Sequence, residues 1–286
     1  MVSTKEIYAQ FVRLLSAADI PDAAFDVRCM CEQLSGMPFS RFMLRETPPA
    51  DFEVSLRDMA ERRCAGEPLQ YLLGEWEFYG MRLFVGRGVL IPRPDTETLV
   101  ESVLAHCGGR KSMKIVDLCT GSGCIALALA RELPDAEISG VEWSAAALEY
   151  ALRNALLHGL RVNLLCGDVL EEKTAERFAE LDAVVSNPPY LTAEDMLHLQ
   201  REVHHEPSMA LDGGSDGLHF YRRITPLWKK TLKPGGLLAF EAGRGQAEDV
   251  AHILEENGFT DIRTERDLAG VERVIMGTAG SSKDIA

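Results

Sequence analysis

The sequence predicts an α/β fold, a doubly wound, mostly parallel sheet of seven strands preceded by a small N-terminal helical domain. Three observations carry that expectation. Up to about residue 74, apolar residues recur at helical spacing and no strand pattern interrupts them. From about residue 93, short apolar runs alternate with longer amphipathic ones, as βαβ units require. Between the two lies an aromatic stretch with a different rhythm.

In the first segment, "TKEIYAQFVRLLSAADI" and "DFEVSLRDMAERRCAG" place apolar residues three and four apart. Pro21, Pro38, Pro48 and Pro49 punctuate the helices, and Ser35-Gly36 marks a helix end. This is a helical domain over residues 1–74, without any constellation of catalytic groups. Over residues 75–92, Trp76, Phe78, Met81, Leu83 and Val85 stand among glycines and polar residues, which predicts a hairpin linking and packing the two domains. The third segment, residues 93–278, offers strands at "KIVDL" (114–118), "AEISGVEW" (136–143), "VNLLCG" (162–167), "LDAVVSN" (181–187), "GLLAFEAG" (236–243), "TDIRTER" (260–266) and "ERVIMG" (272–277). "GCIALALARELP", "SAAALEYALRNALLHG" and "GQAEDVAHILEENG" read as the helices between them. The gap between the last two strands is too short for a crossover, so that pair is expected to be antiparallel. Residues 279–286 read as a loose tail.

Composition narrows the class. With 46% hydrophobic and 26% charged residues the chain has the make-up of a soluble globular protein. It carries no apolar run near the roughly 20 residues of a membrane helix, and its N-terminus lacks a signal-peptide core. A cytoplasmic monomer is expected. The seven cysteines, an odd number without a CxxC pair, imply free thiols, and none has zinc-site spacing, so no metal is expected. The net charge of -14 argues against duplex nucleic acid as the main partner, because phosphate contacts demand a basic footprint.

Ligands of a doubly wound sheet bind beyond the carboxyl ends of its strands. After the first strand comes "DLCTGSGC", where Thr120, Gly121, Ser122 and Gly123 follow Asp117 in a turn through which backbone can approach a ligand closely. The pattern lacks the GK[ST] of a phosphate-binding loop. The second strand ends at Glu142, about 20 residues past the glycines, the spacing of a carboxylate that holds ribose hydroxyls. Trp143 follows, either to cover an adenine face or to pack. The third strand runs into Asp168, an acceptor for an adenine amino group, and Val169, a wall for the ring. This is an adenosine-binding layout, and at this point both a nicotinamide dinucleotide and S-adenosylmethionine fit it.

The fourth strand stops at Asn187-Pro188-Pro189-Tyr190. Proline cannot donate to a sheet ladder, and the residue before it is pushed to extended geometry. The Asn187 side-chain carbonyl and the Pro188 backbone carbonyl thus offer two acceptors without competing donors, suited to a planar –NH2 group, with Tyr190 flanking its plane. No general base is needed for such a nitrogen once it is alkylated, and His204 and His205 read as a solvated loop pair.

Taken in order, "DLCTGSG", "VEWS", "GDVL" and "SNPPY" resemble the class I S-adenosylmethionine-dependent methyltransferases, Rossmann-like enzymes that act on planar amide or amine nitrogens. "EPLQYLLGEWEFYG", "VLIPRPDTE", "EPSMALDGGSDGLHFY", "KPGGLLAFEAGRGQ" and "GVERVIMG" are similar to the release factor glutamine methyltransferases (the HemK/PrmC family), over residues 67–277. The resemblance implies S-adenosylmethionine as cofactor, leaving as S-adenosylhomocysteine, held by Cys119, Thr120, Gly121, Ser122, Gly123, Glu142, Trp143, Asp168, Val169 and Asn187. It implies a substrate glutamine, from the Gly-Gly-Gln loop of class I peptide-chain release factors, at Asn187, Pro188, Pro189 and Tyr190. Asn187, Pro188 and Tyr190 are the implied catalytic residues, and the helical domain the implied docking element. Two positions depart from the family pattern: Cys119 replaces a usual glycine and Glu142 a usual aspartate. A sister enzyme acting on a ribosomal-protein glutamine would share the same site. An adenine-N6 DNA methyltransferase carries related tetrapeptides, though the acidic chain and the lack of a DNA-recognition domain count against it. Arg93 and Glu97 of "RPDTE" either touch substrate or brace the cleft.

Overall fold

The computed structural model describes residues 3–280. Their contacts divide into a helical unit, formed by the described residues up to Trp76 together with Gln200–His205, and an α/β unit formed by the rest.

The helical unit contains α1 (Thr4–Ala17), α2 (Ala23–Ser35), α3 (Phe39–Phe42), α4 (Phe52–Cys64) and α5 (Leu69–Leu73). Ser3 and Glu6 form a reciprocal capping box at the start of α1, which satisfies helix donors that would otherwise be orphaned. Gly36, at φ 65°, ends α2 in the left-handed conformation that glycine adopts without strain. Ile7, Phe11, Leu15, Val27, Met30, Phe42 and Leu56 form the core. One charged group is buried beside it: the Arg63 guanidinium bonds Asp26 at 2.7 Å and Glu202 at 2.9 Å. Burial pushes the Asp26 carboxyl up and the Arg63 guanidinium holds it down.

The boundary between the units falls within β1 (Glu75–Phe78), which forms a hairpin with β2 (Met81–Phe84). Its turn residues Tyr79 and Gly80 both have positive φ, the geometry that matches the twist of the flanking strands. Phe78, Met81 and Leu83 are buried in the α/β core. Most of the segment read from sequence as a linker is therefore part of this unit.

There follow α6 (Glu97–Cys107), β3 (Lys114–Leu118), α7 (Cys124–Glu132), β4 (Glu137–Glu142), α8 (Ala145–His158), β5 (Asn163–Cys166), α9 (Glu172–Ala175) and β6 (Leu181–Ser186). The unit closes with α10 (His219–Lys229), β7 (Leu232–Glu241), α11 (Ala247–Glu256), β8 (Phe259–Arg266) and β9 (Glu272–Ala279). The seven-stranded sheet has the order β5-β4-β3-β6-β7-β9-β8. β3 to β7 are parallel, and β9 is antiparallel to both neighbours; its pairing with β8 is the one that the short gap predicted.

Alternation along the strands makes the sheet two-faced. Ile115, Ala183, Val185, Leu237 and Ala239 pack under α6 and α7. Val116, Val184, Leu238 and Phe240 pack under α10 and α11. The sequence placed the start of β7 at Gly236, but the strand begins at Leu232, which pairs with Leu181 ahead of a register shift. β9 runs to Ala279, so the expected tail starts later than residue 279, and residues 281–286 of it lie outside the described residues.

Replacing Arg63 by methionine removes the countercharge from a carboxylate that stays buried. The expected loss is about 3–5 kcal/mol, the usual range for breaking a buried ion pair from one side, read from the urea midpoint and slope.

Candidate active site

The strand order reverses between β3 and β6: β4 and β5 lie on one side of β3, and β7 on the far side of β6. The connections leaving the two strands diverge, and a cleft opens at their carboxyl ends, as such switch points require.

The turn after β3 is clamped from below by Asp117, which is fully buried. Its Oδ2 accepts from the Thr120 hydroxyl and from the Ala126 amide at 3.2 Å, tying the turn to the first turn of α7. Burial raises this carboxyl to about 7, against the pull of those two donors. Cys119 sits at φ 58°, in the left-handed region where a side chain is strained, which accounts for the glycine usual at this position in the resembling family. Gly123 caps α7 at φ 82°, and a Cβ there would stand 3.2 Å from that of Ala151, so glycine is needed for both conformation and space.

Glu142, at the end of β4, is 9% exposed. Its Oε2 accepts from the Gly121 amide at 2.9 Å and its Oε1 from the Ser144 amide at 2.8 Å. Burial raises its pKa, and these backbone donors oppose the rise. Trp143 is 63% exposed and stands on the rim of the cleft, away from the core.

Asn187 follows directly on β6. Its amide nitrogen donates to the Thr96 hydroxyl at 3.2 Å, which turns the carbonyl end away from that bond. The opposite wall is the segment Gly88–Thr96. Arg93 lies on it and pairs with the buried Glu206, whose Oε2 also accepts from the Ile91 amide at 2.9 Å. Glu97 braces the hairpin: its Oε1 accepts from the Tyr79 amide at 2.7 Å.

Of the residues singled out from sequence, the cleft gathers Cys119, Thr120, Gly121, Ser122, Glu142, Trp143, Asn187 and Pro189. Gly123, Asp168, Val169, Pro188 and Tyr190 do not line it. Asp168 Oδ1 caps its own turn, accepting from the Leu170 amide at 2.8 Å. Val169, expected as a wall for an adenine ring, is instead buried in the core, and its carbonyl accepts from the Trp228 indole at 2.8 Å. Tyr190 packs onto the core beside Glu241 and Arg273, and burial raises its phenol to about 12. Its carbonyl accepts from the Gln246 amide at 2.9 Å.

Four supporting residues escaped sequence reasoning: Thr96, Asn154, Glu206 and Glu241. Asn154 is fully buried and donates to the carbonyls of Phe84 and Ser122 at 3.1 and 3.0 Å, binding hairpin, α8 and glycine turn together. No local pattern marks these residues, because each works through partners remote in sequence.

The fold and this site define a methyltransferase domain: residues 94–215 match the family model described as the methyltransferase small domain. A methyltransferase from Pyrococcus furiosus shares the fold, with a TM-score of 0.55 at 16% identity, covering 71% of this chain and 91% of that one. Residues 6–74 match the model described as the PrmC N-terminal domain. The chain is 47% identical over 225 residues to a release factor glutamine methyltransferase of Geobacter sulfurreducens, covering 78% of each chain. It is 43% identical over 230 residues to one of Thermodesulfovibrio yellowstonii, covering 78% of this chain and 80% of the relative. The chain belongs to the release factor glutamine methyltransferase family.

Proposed function

We propose that the chain transfers a methyl group from S-adenosylmethionine to the side-chain nitrogen of the glutamine in the Gly-Gly-Gln loop of class I peptide-chain release factors. The observation that carries this reading is the Asn187 amide, held at the cleft with its nitrogen spent on Thr96. The relatives named above supply the substrate class.

The residues present fit the cofactor. Glu142 combines a buried, backbone-braced carboxylate with a place at the cleft, as a group that holds ribose hydroxyls needs. Gly121 and Ser122 bring bare backbone to the cleft, and the exposed face of Trp143 is free to cover a flat ring. Asp168, though off the cleft wall, lies just past β5 at the same sheet edge and remains in the proposed set on the family resemblance. When bound, the cofactor supplies an electrophilic methyl on a sulfonium sulfur.

The chain's own contribution is positioning and charge stabilisation. An amide nitrogen is a poor nucleophile because its lone pair is delocalised into the carbonyl. Positive charge develops on it as it is alkylated, and the Asn187 carbonyl would meet that charge through an N–H bond; the Pro188 carbonyl, though its residue does not line the cleft, remains in the proposed set as the second acceptor on the family resemblance. Holding nitrogen, methyl and sulfur in line at about 3–3.5 Å removes much of the remaining barrier. The N-methylated, protonated amide is acidic enough to lose its proton to water, so neither His204 nor His205 takes part.

Labelled methyl transfer tests the reading, with purified release factor, ribosomal proteins and unmethylated DNA offered in parallel and the product mapped by mass spectrometry. One methyl on the Gly-Gly-Gln glutamine is expected. Label only on a ribosomal protein or on DNA would overturn the substrate assignment. Asn187→Ala is expected to lower turnover by roughly 10²–10³, as for loss of a transition-state hydrogen-bond partner, with cofactor affinity nearly unchanged; turnover near wild type would remove its role. Glu142→Ala is expected to weaken cofactor binding by about 1.5–3 kcal/mol, the range for hydrogen bonds to a charged group. Calorimetry showing unchanged affinity would reduce Glu142 to a brace of the glycine turn.

A further inference from the structure

Beneath Asn187 lies a carboxylate for which the chemistry above has no use. Glu241 ends β7 and is 1% exposed. Ser186 pairs with Phe240 in the parallel ladder, so one step further Asn187 stands beside Glu241, both on the face covered by α6. Thr96, 2% exposed in the turn just before α6, completes the group. Asn187 Nδ2 donates to Thr96 Oγ1 at 3.2 Å, and both side chains lie against the Glu241 carboxyl and pull its pKa down. Glu241 Oε2 has no partner. Arg273, the nearest cation, is committed to Asp95 and Asp267 at 3.1 Å each and to the Ala242 carbonyl. Glu241 is thus a buried acid with two neutral donor groups, Thr96 and Asn187, beside it.

We propose that Glu241 is a positioning residue: it sets the polarity of the Asn187–Thr96–Glu241 hydrogen-bond chain, and so keeps the carbonyl end of the Asn187 amide toward the cleft. This rests on the role given to Asn187 above. An ionised carboxylate can only accept. Thr96 must therefore donate to Glu241, its oxygen is left to accept from the Asn187 –NH2, and the Asn187 carbonyl has one direction remaining. A protonated Glu241 can donate to Thr96, which then donates to Asn187. The amide turns over and presents hydrogens to a substrate nitrogen that itself carries hydrogens.

The sign of the pH dependence follows. Burial raises Glu241 to about 7; Thr96, Asn187 and the charge of Arg273 oppose the rise, and the charge of Asp95 adds to it. Tyr190, Tyr221 and Cys124 also face it and are neutral in this range, their own pKa values being raised by burial. Turnover therefore rises with pH through about 7 and is lost as pH falls through it.

Two measurements test this. In isotope-labelled protein, without any substrate, the Glu241 carboxyl and the Asn187 side-chain amide resonances should shift together near pH 7, and Thr96→Val should uncouple them. In methyl transfer, Glu241→Gln should lower kcat at pH 8 by about tenfold or more, on the scale of a lost charge-assisted hydrogen bond, and abolish the acidic limb, while cofactor affinity, melting temperature and KM change little. Thr96→Val should behave alike and Thr96→Ser should restore the turnover. Coupled resonances with no methylation of a release factor would sink the substrate reading and leave this proposal standing. An Asn187 amide indifferent to the Glu241 titration, or a Glu241→Gln enzyme with unchanged kcat and the same acidic limb, would overturn it.

Discussion

The position of β3 beside β6, with their connections leaving in opposite directions, is the constraint on which the rest of the site depends. Parallel strands need crossover helices, and a sheet built outward in both directions leaves one seam at its carboxyl edge that no helix covers. The groups assigned to the proposed chemistry hang from strand ends at this edge: the glycine turn from β3, Glu142 from β4, Asn187 from β6 and Glu241 from β7. Rigid, hydrogen-bonded strands fix the separations among these groups, and the loops have only to orient the last side chain.

The same edge concentrates negative charge. Asp117, Glu142 and Glu241 are all buried, and burial raises all three. Their tasks differ. Asp117 clamps backbone, with Oδ1 left unpartnered; Glu142 is braced by backbone and faces the cleft; Glu241 lies under a side chain that faces it. Burying acids is costly, and the compensation here comes from hydrogen bonds to neutral groups, since the nearby arginines are paired elsewhere: Arg93 with Glu206, Arg273 with Asp95 and Asp267.

What the sequence made legible was whatever is written locally. Strand ends announce themselves by glycine, proline and the end of an apolar run, so the turn at Thr120–Gly123, the acid at 142 and the stop at Asn187 could all be placed in advance. The antiparallel β8–β9 pair followed from a short gap. Long-range pairings left no such mark. Thr96 and Asn187 are 91 residues apart, Arg93 and Glu206 113, and Asn154 and Phe84 70. Thr96, Asn154 and Glu206 read in sequence as ordinary helix or loop residues. Val169 shows the converse failure: its position after an acid at a strand end suggested a ligand wall, but it lies in the turn that Asp168 caps beyond β5, with its side chain in the core.

Trp143 has a consequence of an optical kind. Of the three tryptophans, Trp228 is fully buried and Trp76 is half-buried against the helical core, whereas Trp143 stands 63% exposed on the rim of the cleft. An indole in water emits at longer wavelength than one enclosed by protein or stacked on a ring. The protein therefore carries an intrinsic fluorophore on the rim of the cleft, whose emission reports on what covers that indole without any attached dye.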